Sequence, residues 1–139
     1  MELFCADSTD LEGVQKLQNL ELLTTKQLSK NVGELNIKGL VLDDNNSKYP
    51  SLMNFKKLKA FRWVTNNSAE EAPNFIGSLS SLEFIHFDRC SKLTSIPANY
   101  NELDSLNKFV MKECKLYLEI EDHLNNIKPV MHVYATGYN

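Results

Sequence analysis

Several kinds of residue and segment are scarce in this chain of 139 residues. It has five glycines and no glycine-rich loop of the kind that cradles phosphate, and its three cysteines and three histidines share no metal-ligand spacing. The 15 basic residues are outnumbered by 18 acidic ones and form no stripe, which argues against nucleic acid as a partner. No apolar run approaches the roughly 18 residues of a membrane span. These absences predict a protein without metal, cofactor, nucleic-acid partner or membrane segment.

The sequence also lacks the motifs of a catalytic site and of a secretory signal. The sequence places no base beside Cys90 or Cys114, no histidine has a partnered nucleophile, and no carboxylates are paired for acid–base work. We therefore expect no enzymatic activity and no catalytic residues. The acidic start Met-Glu-Leu-Phe-Cys-Ala-Asp is unlike a secretory signal, and an odd number of cysteines is typical of reduced thiols. Together these two features predict a cytoplasmic protein.

Leucine and asparagine are abundant instead, with 20 and 15 residues, and their positions repeat. Three consecutive segments, beginning at residues 55, 79 and 103, place apolar residues at their positions 1, 4, 7 and 9. Position 12 of these segments is Asn66, Cys90 or Cys114, so the pattern recurs every 24 residues. A fixed period of this length is the mark of a repeat architecture.

The pattern LxxLxxLxLxx(N/C), followed by segments such as Ile96-Pro97, resembles the leucine-rich repeat. The 24-residue units are similar to those of plant-type and disease-resistance-type receptors. The resemblance implies one α/β domain over residues 1–139, a solenoid with a parallel concave sheet of about six strands and irregular, short helical or 3₁₀ convex segments. Residues 1–13 are expected to form a partial repeat or an N-terminal cap, and repeats are expected to begin at about residues 14, 34, 55, 79, 103 and 127.

The residues themselves suit such a fold. Apolar and polar residues alternate in each repeat, which predicts half-buried strands that must stack to bury their apolar face. Prolines at 50, 73 and 97 are expected to open the convex segments, with a better helix near residues 116–126. Side chains at position 12, Thr25, Asn45 and Asn66 with Cys90 and Cys114 as replacements, are expected to face inward and bond the turns. The inward strand residues are predicted to be Leu20, Leu22, Leu40, Leu42, Phe61, Trp63, Ile85, Phe87, Phe109 and Met111.

The outward strand positions do not serve the core, so they are the candidates for binding a partner. Because Leu20 and Leu22 are predicted to point inward in the first repeat, Leu23 is predicted to point outward. Aromatic and apolar side chains recur among charged ones, as in protein interfaces, and Phe84 with Arg62 and His86 forms the predicted centre. We therefore predict a non-catalytic module that binds a protein or peptide. The alternatives are a structural segment that self-associates through the open ends of the solenoid, or a fragment of a larger receptor or sensor. The predicted partner-binding residues are Arg62, Val64, Phe84, His86, Asp88, Lys108, Val110, Lys112 and Tyr134.

Overall fold

The structure is a computed structural model that describes residues 2–5, 21–25, 36–43, 55–114 and 132–136. These residues contain seven strands that form one parallel sheet, in which each strand pairs with the next along the chain. The predicted parallel sheet is thus confirmed, with one strand more than expected, because residues near the start of the chain also pair into it. The strands are β1 (Glu2–Cys5), β2 (Leu22–Thr25), β3 (Gly39–Asp43), β4 (Ala60–Val64), β5 (Phe84–Asp88), β6 (Lys108–Lys112) and β7 (His132–Thr136).

The core lies on one side of this sheet and is filled by alternate strand residues. From β3 to β6 the predicted inward residues are all buried, with at most 1% of each residue exposed. Aromatic rings from neighbouring strands meet edge to face, as Phe87 does with Trp63 and with Phe109, at centroid distances of 5.7 and 5.4 Å. Such contacts between stacked strands add about 0.5–1.5 kcal/mol to the free energy of burial.

The predicted register of β2 is wrong by three residues. Leu23, expected to point outward, is fully buried, and it lies beside Leu40 in the sheet. Thr25 pairs with Leu42 in the sheet, so Thr25 belongs to the strand and not to the turn after it. Leu22 is half-buried, and Leu20 lies outside the described residues.

Short 3₁₀ helices follow two of the prolines, as the sequence predicts. Helix η1 (Asn74–Ser78) begins after Pro73 and helix η2 (Ala98–Glu102) after Pro97, each proline having an extended backbone. Tyr100 of η2 is fully buried and donates a hydrogen bond from its hydroxyl to the Pro73 carbonyl oxygen at 2.9 Å. Pro50 and the helix expected near residues 116–126 lie outside the described residues.

The turns after the strands are held by side chains at position 12, which confirms the prediction for Asn66, Cys90 and Cys114. All three are fully buried. The Asn66 Oδ1 accepts backbone N–H groups of Ser68 and Ala69, at 3.0 and 2.8 Å. The Cys114 Sγ accepts the Cys90 N–H and donates to the Phe87 carbonyl oxygen, both at 3.4 Å. Asn45 lies outside the described residues.

The residue before each of these positions has a left-handed backbone. Thr65, Arg89 and Glu113 have φ angles of 58°, 56° and 53°. The N–H groups of Thr65 and Arg89 donate to the carbonyl oxygens of Asp88 and Lys112 on the next strand, at 2.8 Å each. The chain therefore leaves each strand through the same turn, which costs backbone strain because none of the three residues is glycine.

Among the described residues, no helix is long and apolar enough to cross a membrane.

Candidate functional site

The side of the sheet opposite the core is the candidate binding surface, and we call it the outer sheet face. It forms because strand residues alternate, so the neighbours of each buried residue point the other way. Strands β1, β2 and β7 also belong to the sheet, but the outer sheet face is defined here on β3 to β6, where the side chains are described. Its members are Gly39, Val41, Asp43, Ala60, Arg62, Val64, Phe84, His86, Asp88, Lys108, Val110 and Lys112.

Strand pairing arranges these residues in three rows that cross the sheet. The middle row runs Val41, Arg62, His86 and Val110. Phe84 and Lys108 are neighbours in the row before it, and Val64, Asp88 and Lys112 in the row after it. The structure therefore brings eight of the nine predicted residues together on adjacent strands. The ninth, Tyr134, pairs with Val110 in β7, and its side chain lies outside the described part of the structure.

The predicted residues differ in how far they are accessible. Arg62, Lys108 and Lys112 are exposed, whereas Phe84, His86 and Val110 are half-buried. Val64 and Asp88 are buried, with 9% and 3% of the residue exposed, so the expectation that they are accessible to a partner is wrong. Val64 lies between Asp43 and Asp88 in its row and is enclosed by the strands on both sides.

Asp88 instead forms ion pairs with two arginines. Its Oδ2 accepts a hydrogen bond from Arg62 Nη2 at 3.1 Å, and its Oδ1 accepts one from Arg89 Nε at 3.2 Å. A buried carboxylate needs such charged partners to offset the loss of hydration. Both guanidinium groups remain about half exposed, so the pairing holds two cations in place at the surface.

Phe84 lies at the centre of a second set of contacts. Its ring meets the His86 imidazole edge to face at a centroid distance of 6.1 Å. The Lys108 ammonium lies over the same ring, 5.6 Å from its centre, within the range of a cation–π interaction. An aromatic ring in contact with a lysine ammonium and an imidazole thus occupies the middle of the outer sheet face.

The surroundings of the His86 imidazole disfavour its protonation. Partial burial lowers the pKa of His86 below its ordinary value, and the positive charge of Arg62 lowers it further, while Asp88 opposes the shift. Lys112 and Lys108 also lower it. The His86 Nε2 is buried and has no hydrogen-bond partner, which adds to the cost of charging the ring.

The two cysteines whose side chains are described are not part of this surface. Cys90 and Cys114 are free, buried thiols in the turns that follow β5 and β6. A hydrogen bond with Cys114, together with burial, raises the pKa of Cys90, so its reactive thiolate form is disfavoured. Within the described ranges, no group of three or more His, Cys, Asp or Glu side chains could hold a metal ion.

The sequence predicts the rows of this surface but not two of its features. Asp88 was expected to contact a partner, whereas its carboxylate is an internal partner for Arg62 and Arg89. The left-handed residues were not predicted, although Arg89 lies beside Asp88 in one of those turns. The signal was present, since Thr65, Arg89 and Glu113 share one repeat position directly before Asn66, Cys90 and Cys114.

Comparison with known proteins gives one informative relative. No protein-family model matches the chain. The chain is 28% identical over 119 residues to disease resistance protein RPS4B of Arabidopsis thaliana. The match covers 81% of this chain but spans only about a tenth of the length of the relative. The similarity is compatible with the resemblance to disease-resistance-type repeats, and it extends over most of the chain.

Proposed function

We propose that the chain is a leucine-rich repeat solenoid whose outer sheet face binds a protein or peptide without catalysis. The observation that carries the proposal is the composition of that face. A half-buried aromatic ring, Phe84, lies among exposed cations on a parallel sheet, and Arg62 is held in place by a buried carboxylate. Positioning of this kind lowers the entropy lost on binding. The 24-residue repeat and the stacked strands support the solenoid.

Affinity capture from an extract of the source organism, quantified by mass spectrometry, tests this proposal. Wild-type chain is compared with an Arg62→Ala/Phe84→Ala variant and with a Lys92→Ala/Asn101→Ala control. The control makes the same change in charge at exposed residues outside the outer sheet face. We expect the first variant to lose a defined partner that the control retains. Identical partners for all three folded proteins would contradict binding on this face.

A second proposal follows from the relative. Since the chain spans about a tenth of disease resistance protein RPS4B, it is a candidate recognition segment of a larger receptor-type protein. Sequencing the complete transcript checks this directly. An open reading frame that continues beyond residues 1 and 139 supports the proposal, and stop codons on both sides contradict it.

A further inference from the structure

We propose that the partner segment bound by the outer sheet face is an acidic peptide, held by Lys108 and Lys112 together with Arg62. This inference rests on the proposed function and names the chemistry of the partner. The first argument is charge. The whole chain has a net charge of −3, yet the described part of β4 to β6 and the turn after β5 present Arg62, Arg89, Lys108 and Lys112 at the surface.

The acidic group of β4 to β6 is already engaged by neighbouring cations. Asp88 is the acidic residue of β4 to β6, and it is 3% exposed and bonded to Arg62 and Arg89. Asp43 on β3 is the other carboxylate of the outer sheet face, which therefore has two carboxylates against the cations Arg62, Lys108 and Lys112. An incoming carboxylate therefore meets a surface whose cations exceed its anions, and like-charge repulsion disfavours a basic segment.

The second argument is geometry. Arg62 lies on β4 and both lysines on β6, so the cations are separated by two strand spacings, about 10 Å in total. Phe84 and His86 fill the strand between them and give a partly apolar floor. An extended peptide with acidic side chains can contact this floor and reach the cations on both sides.

Binding of labelled synthetic peptides, measured by fluorescence anisotropy, tests the inference. The probes are a short peptide of alternating Glu and Tyr and a matched peptide of alternating Gln and Tyr. A DNA duplex of similar charge serves as a different polyanion. We expect the Glu peptide to bind at least about tenfold more tightly than the Gln peptide and to weaken as the salt concentration rises.

Charge reversal shows whether the lysines are responsible. In a Lys108→Glu/Lys112→Glu variant we expect the affinity for the Glu peptide to fall about tenfold or more, and in a Lys57→Glu/Lys92→Glu control less than about twofold. All four lysines are exposed, and the control pair lies outside the outer sheet face. Circular dichroism checks that both variants are folded. If the Lys108→Glu/Lys112→Glu variant does not fold, a Lys108→Gln/Lys112→Gln variant replaces it.

The outcomes separate this inference from the proposed function. Equal binding of the Glu and Gln peptides that is lost in Phe84→Ala overturns the acidic partner but keeps peptide binding on the face. Binding of DNA as tight as that of the Glu peptide indicates a general affinity for polyanions and overturns the inference. Failure of the Glu peptide to bind also overturns it, while affinity capture continues to test the proposed function independently.

Discussion

At the scale of single residues, the side chain at repeat position 12 connects a strand to the turn that follows it. Asn66 accepts two backbone N–H groups within its own turn, whereas Cys114 bridges an N–H and a carbonyl group of the preceding repeat. Cys90 donates to the Trp63 carbonyl oxygen at 3.7 Å in the corresponding way. An amide makes stronger hydrogen bonds than a thiol, so Asn66 is the member whose loss matters most.

Replacing Asn66 with alanine should therefore destabilise the fold. Asn66→Ala leaves the buried Ala69 N–H and the partly buried Ser68 N–H without their acceptor, at an expected cost of about 2 kcal/mol. Asn67→Ala is the control, because Asn67 is exposed and its hydrogen bond with Ser91 is at the surface, so we expect less than about 0.5 kcal/mol. Urea unfolding followed by the fluorescence of Trp63 measures both values. Equal costs would contradict the role assigned to Asn66.

Thr65 is the residue at which backbone strain can be relieved. It is β-branched and has a φ of 58°, a conformation that asparagine adopts more readily. Thr65→Asn should therefore raise the free energy of unfolding by up to about 1 kcal/mol. Thr65→Val keeps the branched side chain and should give no gain. A stabilisation by valine equal to that by asparagine in the same unfolding assay would show that strain is not the cause.

At the scale of elements, the inward and outward positions of the strands could be predicted from the sequence in the 24-residue repeats, but not in the shorter first repeat. From Phe55 onward, one apolar pattern recurs at a constant spacing, so the alternation of each strand is unambiguous. In the segment Leu20-Glu-Leu-Leu23, one alternation uses Leu20 and Leu22 and the other uses Glu21 and Leu23, so the local pattern favours the first. Only pairing with Leu40 decides that Leu23 points inward, and pairing is a long-range contact that local sequence does not encode.

The same limit applies to the candidate site. Alternation correctly assigned Arg62, His86 and Val110 to one row, because direction depends only on position in the strand. It could not show that Asp88 is buried, because coverage of its carboxylate depends on Arg62 from β4 and on the left-handed turn at Arg89. Accessibility is thus a property of neighbouring repeats and not of one strand.

The two 3₁₀ helices contact each other through a glycine that cannot be enlarged without movement. A Cβ atom at Gly77 of η1 would collide with the amide group of Asn99 in η2, whose Nδ2 donates to the Asn74 carbonyl oxygen at 2.9 Å. Gly77→Ala should therefore destabilise the fold by about 1–2 kcal/mol. Gly39→Ala is a matched control with a smaller expected cost, because its Cβ meets only the terminal Cδ1 methyl of Leu22, at 2.8 Å.

A double-mutant cycle identifies the cause of that cost. Asn99→Ala removes the group with which the new Cβ collides, so the effects of Gly77→Ala and Asn99→Ala should be less than additive, by about 1 kcal/mol. Chemical unfolding of the two single variants and the double variant gives the coupling energy. Additive effects would mean that Gly77 is required for its backbone and not for contact between η1 and η2.

At the scale of the whole molecule, the burial of His86 and the charges around it link stability to pH. The pKa of His86 is lowered in the folded protein, mainly by burial and then by Arg62, with Asp88 opposing and Lys112 and Lys108 adding to the shift. Below the ordinary histidine pKa of about 6.5, the unfolded chain therefore binds a proton that the folded chain resists. Folding stability contributed by neutral His86 is present at neutral pH and is lost as the pH falls through this range.

The pH dependence of unfolding should consequently be smaller in a His86→Gln variant than in the wild type. Glutamine cannot be protonated near pH 6, so the difference between the two stability curves isolates His86 from the other histidines, His123 and His132. We expect the wild type to lose more stability than His86→Gln between neutral pH and about pH 5. Urea unfolding at several pH values measures the difference. Parallel curves would show that His86 has the same pKa in both states, so that burial and the surrounding charges have no net effect on it.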